Sequence, residues 1–285
     1  MNNFDFVQAL NEGEALQKLT GPEVIVPLAG GTNLMVNLKR APLDAEMIVD
    51  LSRIESLQSI AEGNGVVSLG SGVTFADLLE WRPGGAIEAL MRPMAEAFAG
   101  PLIRNLATLG GNICDASPAA DVSPPLLALS AKVNLESAGG ATRVLPLEEF
   151  FQGVRRTARR PDELLTSIEL PRPDPADQAF YYKLGKRKAD AISIVSIAIV
   201  LRRKSDRVEH VRIALGAVAP VAMRTPEAEA LLLGNELSER TIIAAASAAA
   251  AEVSPIDDFR ATADYRRQMV EVLVRRGLGQ IAVEC

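Results

Sequence analysis

Ala29-Gly30-Gly31-Thr32-Asn33 and Thr108-Leu109-Gly110-Gly111-Asn112 are the two stretches on which the reading of this chain turns. Each is a glycine doublet with a Thr and an Asn close by, set beside an apolar stretch, and neither has the spacing of a Walker or Rossmann loop. Paired glycines let a backbone take φ > 0 and come close to a ligand, while free N–H groups and hydroxyls point at anionic oxygens. Two such segments predict a clamp on a pyrophosphate, and hence a dinucleotide such as FAD.

Outward from the first segment, Ala15, Leu16 and Leu19 mark a short amphipathic helix over 11–19, ended by Gly21-Pro22. A buried strand over 24–28 runs into the doublet, a helical turn follows over 34–38, and a second strand covers 47–51, a strand–helix–strand unit within about 1–55. From Ile54 the pattern changes to short strands at 57–61 and 66–69, joined by Glu62-Gly63-Asn64-Gly65, a hairpin signal. Thr74 is placed to cap a helix over 75–81 with Asp77 at its third position. A helix over 87–97 leads through Phe98-Ala99-Gly100-Pro101 to the second doublet. Beyond it come a short helix at 126–129 and a hairpin of 132–136 with 142–146.

Pro171-Arg172-Pro173-Asp174-Pro175 reads as an extended linker, dividing a region of 1–172 (subdomains about 1–55 and 56–172) from one of 173–285. The second region carries strands at 179–183, 193–202 and 208–218, then helices at 226–233, 238–253 and 264–275. The chain is therefore expected to be α+β, its C-terminal domain a small antiparallel sheet backed by helices.

Composition narrows the chemistry. The net charge of −6 and the pI near 5.1 speak against a nucleic-acid binder. The one dense basic cluster, Arg155-Arg156 with Arg159-Arg160, reads as a solvated loop or a partner contact. The start carries no secretory signature and the longest apolar run, 191–201, is too short to span a bilayer, so a cytoplasmic protein is expected. Two cysteines, Cys114 and Cys285, and a single histidine, His210, cannot build an iron–sulfur or His-rich metal site, so no metal-ligating residue is assigned. No acid–base pair stands out, and no catalytic residue is assigned.

The two segments, their order and their surroundings resemble the FAD-binding medium subunit of the molybdenum hydroxylases, the group containing xanthine dehydrogenase and aerobic carbon monoxide dehydrogenase. Ala29-Gly30-Gly31-Thr32-Asn33-Leu34 is similar to that family's Ala-Gly-Gly-Thr-Asp-Leu, and Thr108 to Asn112 to its Thr-Leu-Gly-Gly-Asn, with Pro118 and Asp121 downstream. Tyr182-Lys183-Leu184-Gly185-Lys186-Arg187-Lys188-Ala189-Asp190, Leu215-Gly216-Ala217-Val218-Ala219-Pro220 and Asp264-Tyr265-Arg266 are similar to markers of its C-terminal domain. The resemblance implies a two-subdomain FAD-binding domain of the PCMH type. It places Pro27, Leu28, Ala29, Gly30, Gly31, Thr32, Asn33 and Leu34 on one side of the pyrophosphate. Thr108, Leu109, Gly110, Gly111 and Asn112 lie on the other. It adds Phe98 at the same pocket, Asp121 at the ribose or adenine end, Leu165 near the isoalloxazine and Lys183 at the flavin region. Asn33 departs from the family's Asp, a neutral amide that should not harm an anion site.

The resemblance further implies partners: a large subunit with molybdopterin, a small subunit with two [2Fe–2S] clusters, a dimer of heterotrimers, and an external electron acceptor. From the residues alone, two other readings stay open, a self-contained flavin oxidase or reductase and a non-catalytic scaffold. A Gly110→Glu substitution is expected to expel FAD by placing a carboxylate against phosphate. Cys114 reads as a small buried thiol, His210 as a surface histidine at the start of a strand, and Lys183, by default, as a solvated surface lysine. Tyr181 and Tyr182 either pack near the flavin or fill the core.

Overall fold

The chain is described by a computed structural model over residues 4–21, 23–40, 45–187 and 190–283. Cys285, the first three residues, Pro22, and Lys188 with Ala189 of the 182–190 stretch lie outside the described residues. The protein is α+β.

The first unit holds β1 (Asp5–Gln8), α1 (Glu12–Leu19), β2 (Ile25–Leu28), α2 (Leu34–Arg40) and β3 (Met47–Asp50). Its three strands form a parallel sheet in the order β1-β3-β2. Asn11 caps α1 by accepting from the Glu14 N–H, and Ala15, Leu16 and Leu19 turn into a small apolar cluster with Val49, Leu51 and Ile54. The strand β1, short and largely exposed on its edge, is not foreseen in the sequence. A 3₁₀ turn, Glu55–Gln58, occupies the start of the strand expected at 57–61, because the Leu57 carbonyl is drawn off to accept from the Gly72 N–H.

The second unit holds β4 (Ile60–Gly63), β5 (Val66–Gly70), α3 (Phe75–Glu80), α4 (Gly85–Ala97), α5 (Pro101–Arg104), α6 (Leu109–Asp115) and α7 (Ser123–Ala128). It continues with β6 (Lys132–Ser137), β7 (Thr142–Pro146), α8 (Leu147–Phe150), β8 (Phe151–Gly153), β9 (Arg156–Thr157) and β10 (Glu163–Pro171). Five strands make an antiparallel sheet in the order β4-β5-β10-β6-β7, so its centre is β10, a strand the sequence reading passes over. Its alternation is broken by a register shift between Leu165 and Ser167, where a bulge re-aims the side chains. Thr74 caps α3 as expected: its hydroxyl accepts from the Asp77 N–H, and the Asp77 carboxylate accepts from the Thr74 N–H, a reciprocal box.

The third unit is a four-stranded antiparallel sheet, β11 (Gln178–Leu184), β12 (Val195–Lys204), β13 (Arg207–Gly216) and β14 (Met223–Arg224), in that order. One face is covered by α9 (Pro226–Leu232), α10 (Glu239–Glu252) and α11 (Ala263–Val283). The helix α11 runs about two turns past the end expected at Arg275. At Gly277 a Cβ would stand 2.5 Å from the Phe180 ring, so the glycine lets helix and sheet touch. The other face meets the second unit: Tyr181, Ala198, Val200 and Ala214 pack in one apolar cluster with Met91, Met94, Leu126 and Leu127. That joint sets β11 and the 190–194 segment beside the two glycine segments.

Candidate functional site

A cavity of about 860 Å³ opens where the first sheet, α6, the β8–β9 turn and the 190–192 segment meet. Both glycine doublets line it, as do Pro27, Leu28, Ala29, Thr32, Asn33, Leu34, Phe98, Thr108, Asn112, Asp121, Leu165 and Lys183. Leu109 does not. It is fully buried in the central apolar cluster, pointing away from the cavity as the first residue of α6.

In the first segment only Gly31 is in the left-handed region, at φ 69, making the turn from β2 into α2. Gly30 is required for another reason: a Cβ there would lie 1.6 Å from the Leu106 carbonyl oxygen. The first segment thus sits directly on the chain entering the second. Among the described residues, the N–H groups of Gly30, Gly31, Thr32 and Asn33 have no acceptor, a row of free donors on the cavity wall.

The second segment is not a loop. Thr108 is the N-cap of α6, its hydroxyl accepting from the Gly111 N–H at 3.1 Å. Neither glycine there has φ > 0. The N–H of Gly110 is spent on the Ser71 carbonyl and that of Asn112 on the Thr108 carbonyl, so the expected free amides are not on this side. A Cβ on Gly110 would meet Ser71 at 2.5 Å, so Gly110→Glu would disrupt packing before any charge reached the cavity. What the segment does offer is the open face of Gly111 and the side chain of Asn112, whose buried Oδ1 has no partner among the described residues.

Asp121 and Lys183 are brought together. Lys183 is no surface lysine: its Nζ donates to Asp121 Oδ2 at 2.6 Å and to the Ala97 carbonyl at 3.0 Å, with only 6% of the side chain exposed. Ser193 donates to the other carboxylate oxygen. Burial raises the Asp121 carboxyl above its ordinary pKa, and Lys183 and Ser193 pull against that rise. The ion pair ties the α6–α7 connection to β11 at the cavity wall. Phe98 stacks on Phe75 with centroids 3.8 Å apart, a flat apolar surface facing the same space.

Three cations that the sequence reading did not place in the site, Arg40, Arg155 and Arg159, line the cavity; the last two belong to the cluster expected as a solvated loop or a partner contact. Arg155 pairs with Asp115, and Arg159 donates to the backbone carbonyls of Arg160, Pro161 and Glu163. Their cluster was visible in the sequence, but its fold-back onto α6 depends on the β8–β9 hairpin. Cys114 lines the cavity too, its thiol pushed up to about 11 by burial. Tyr181 fills the core and Tyr182 lies under Arg276, so neither lines the cavity. His210 sits within β13 opposite Arg202, half-buried, and burial lowers its pKa.

Two family models match this chain: FAD binding domain in molybdopterin dehydrogenase over residues 2–173, and CO dehydrogenase flavoprotein C-terminal domain over 180–281. The chain belongs to the molybdopterin-dehydrogenase FAD-subunit family. It is 31% identical to the glyceraldehyde dehydrogenase medium chain of Sulfolobus acidocaldarius, over 98% of each chain. It is 33% identical to the carbon monoxide dehydrogenase medium chain of Hydrogenophaga pseudoflava, over 90% of this chain and 89% of that one. A solved structure of carbon monoxide dehydrogenase from H. pseudoflava superposes with a TM-score of 0.92 at 31% identity, covering 99% and 98% of the two chains. The chain is thus an oxidoreductase subunit of the FAD type. Its cavity fits that cofactor: the volume lies within the ~300–1,000 Å³ of small-molecule sites. Free backbone donors and an orphaned Asn112 oxygen line one part, and Phe98, Leu164 and Leu165 another.

Proposed function

We propose that this chain is the FAD-carrying electron-transfer subunit of a heterotrimeric molybdenum hydroxylase. It would take electrons from the [2Fe–2S] clusters of a small subunit and pass them to an external acceptor. The observation that carries this reading is the cavity itself, with four unpartnered backbone N–H groups on one wall and apolar side chains on another. The free N–H groups of 30–33 would hold the pyrophosphate, with the open face of Gly111 against it and the Asn112 amide beside it. The Asp121–Lys183 pair would fix the wall on which the rest of the cofactor lies, and Phe98, Leu164 and Leu165 would keep water from the ring. FAD takes up and releases electrons at its isoalloxazine, and the protein's part is to place and tune it. We further propose the domain division at 172–173, assembly as a dimer of heterotrimers with a molybdopterin-bearing large subunit, and a cytoplasmic location. Among the described residues no helix is long and apolar enough to cross a membrane.

Purification of the tagged chain from its own cells tests the reading. It is expected to bring down two further chains together with iron, molybdenum and FAD, and a substrate of the large subunit should bleach the flavin only while the iron–sulfur chain is present. A chain that purifies alone and turns over a small substrate unaided would overturn it.

A further inference from the structure

Asp115 is a carboxylate on the wall of a cavity that, on the reading above, holds an anionic dinucleotide. It is the last residue of α6, where the negative end of the helix dipole adds to the repulsion. Two side chains from separate parts of the chain offset it. Asn33, in the first glycine segment, donates through Nδ2 to Asp115 Oδ2 at 2.9 Å. Arg155, in the turn between β8 and β9, donates through Nη1 to Asp115 Oδ1 at 2.7 Å. The backbone repeats the second link, since the Arg155 N–H donates to the Ala116 carbonyl at 3.0 Å. Arg155 and Ala116 stand at φ 55 and φ 44, a left-handed conformation that non-glycine residues rarely hold unless surrounding contacts impose it.

The Asp115 side chain is 15% exposed and that of Arg155 54%. The carboxylate is therefore shielded enough for its charge to be felt across the cavity, and Arg155 is placed to cancel it. We propose that Asn33, Asp115 and Arg155 form a charge latch, in which Arg155 and Asn33 together neutralise the Asp115 carboxylate so that the wall between the first glycine segment and the β8–β9 turn does not repel FAD. In it Arg155 acts as a positioning residue, by neutralising Asp115 rather than by contact with the cofactor. This rests on the cavity being the FAD site.

The latch makes a prediction with a sign that packing alone does not. FAD dissociation is measured on the full chain, in the assembly in which it purifies, from the flavin fluorescence that appears on dilution. Arg155→Met is expected to weaken FAD binding by about tenfold, the order of an uncompensated charge at a partly exposed position. The loss should shrink as salt is raised. Asp115→Asn is expected to bind as tightly as wild type or more so, and adding it to Arg155→Met should restore affinity to within about threefold. Asn33→Asp, which sets a second carboxylate against the first, should also weaken binding and be rescued by Asp115→Asn. Thermal melts of all the variants show whether each is folded. An Arg155→Met protein that binds like wild type overturns the latch. So does a double variant as weak as Arg155→Met, because Arg155 would then act by direct contact. A wild-type protein that holds no FAD would overturn the reading of the cavity instead, and would do so before any variant is made.

Discussion

Gly30 and Gly31 are neighbours in the chain with different reasons to be glycine. Gly31 needs its positive φ, and Gly30 needs the space that the Leu106 carbonyl fills. Gly30→Ala is therefore expected to cost about 3 kcal/mol or more, since a backbone oxygen cannot rotate aside, and urea denaturation measures the loss. The doublets themselves were legible in the sequence, but not that the second opens a helix capped by Thr108. Which amides stay free was not legible either, because the acceptors that silence Gly110 and Asn112 come from Ser71 and from the helix they begin. Thr32→Glu is a better electrostatic probe than Gly110→Glu, since it brings a carboxylate to the free N–H groups without filling a glycine's space; it should lower FAD occupancy while melting at the temperature of FAD-stripped wild type. At Cys114, a thiol pushed up to about 11 leaves about one molecule in a thousand as thiolate at pH 8. Iodoacetamide should therefore label Cys114 slowly in the native protein, as peptide mass shows, and labelling as fast as that of an ordinary thiol would contradict the raised pKa.

Elements with a single strong local signal were read well. The Thr74 box needs only residues three apart, and α3 begins where it predicts; Thr74→Ala should cost about 1 kcal/mol in the same denaturation. Elements whose cues are spread across the fold were read poorly. The central strand β10 carries Leu164, Leu165, Ile168 and Leu170, but the bulge shifts their alternation, and its pairing with β5 and β6 is non-local. The helix α11 continues beyond the expected end at Arg275 because Gly277 is a contact point for Phe180, a contact no local pattern announces. The cavity shows the same division. Its glycine segments are local, while Arg155, Arg159 and the Asp121–Lys183 pair reach it only through β8–β9, β11 and the apolar cluster behind them.

Across the whole molecule, the cavity wall at 190–192 is held from behind through Ser193 and Ile194 by the third unit. The buried Arg266, 1% exposed, donates to the Ile194 and Ala217 carbonyls and to Asp258, and Arg260 bridges Asp258 to the Ser193 carbonyl. Hydrogen bonds from Arg260, with Arg266 nearby, hold the Asp258 carboxyl well below its usual range. A depressed carboxylate contributes stability that is complete above its unfolded pKa of about 4 and is lost as pH falls through the folded value. Wild type should therefore lose stability below about pH 4 by a component that Asp258→Asn lacks. At neutral pH the same variant should cost about 3 kcal/mol, because Arg266 keeps a buried charge without its partner. Both are read from urea midpoints across pH. The central claim is that the cavity between the two glycine segments is an FAD site, and the flavin content of the natively purified protein tests it most directly. The account predicts a yellow protein that releases FAD equimolar with the chain on heating. It predicts that Thr32→Glu gives the same folded protein without the colour. A folded, colourless wild type that takes up no FAD from excess cofactor would contradict it.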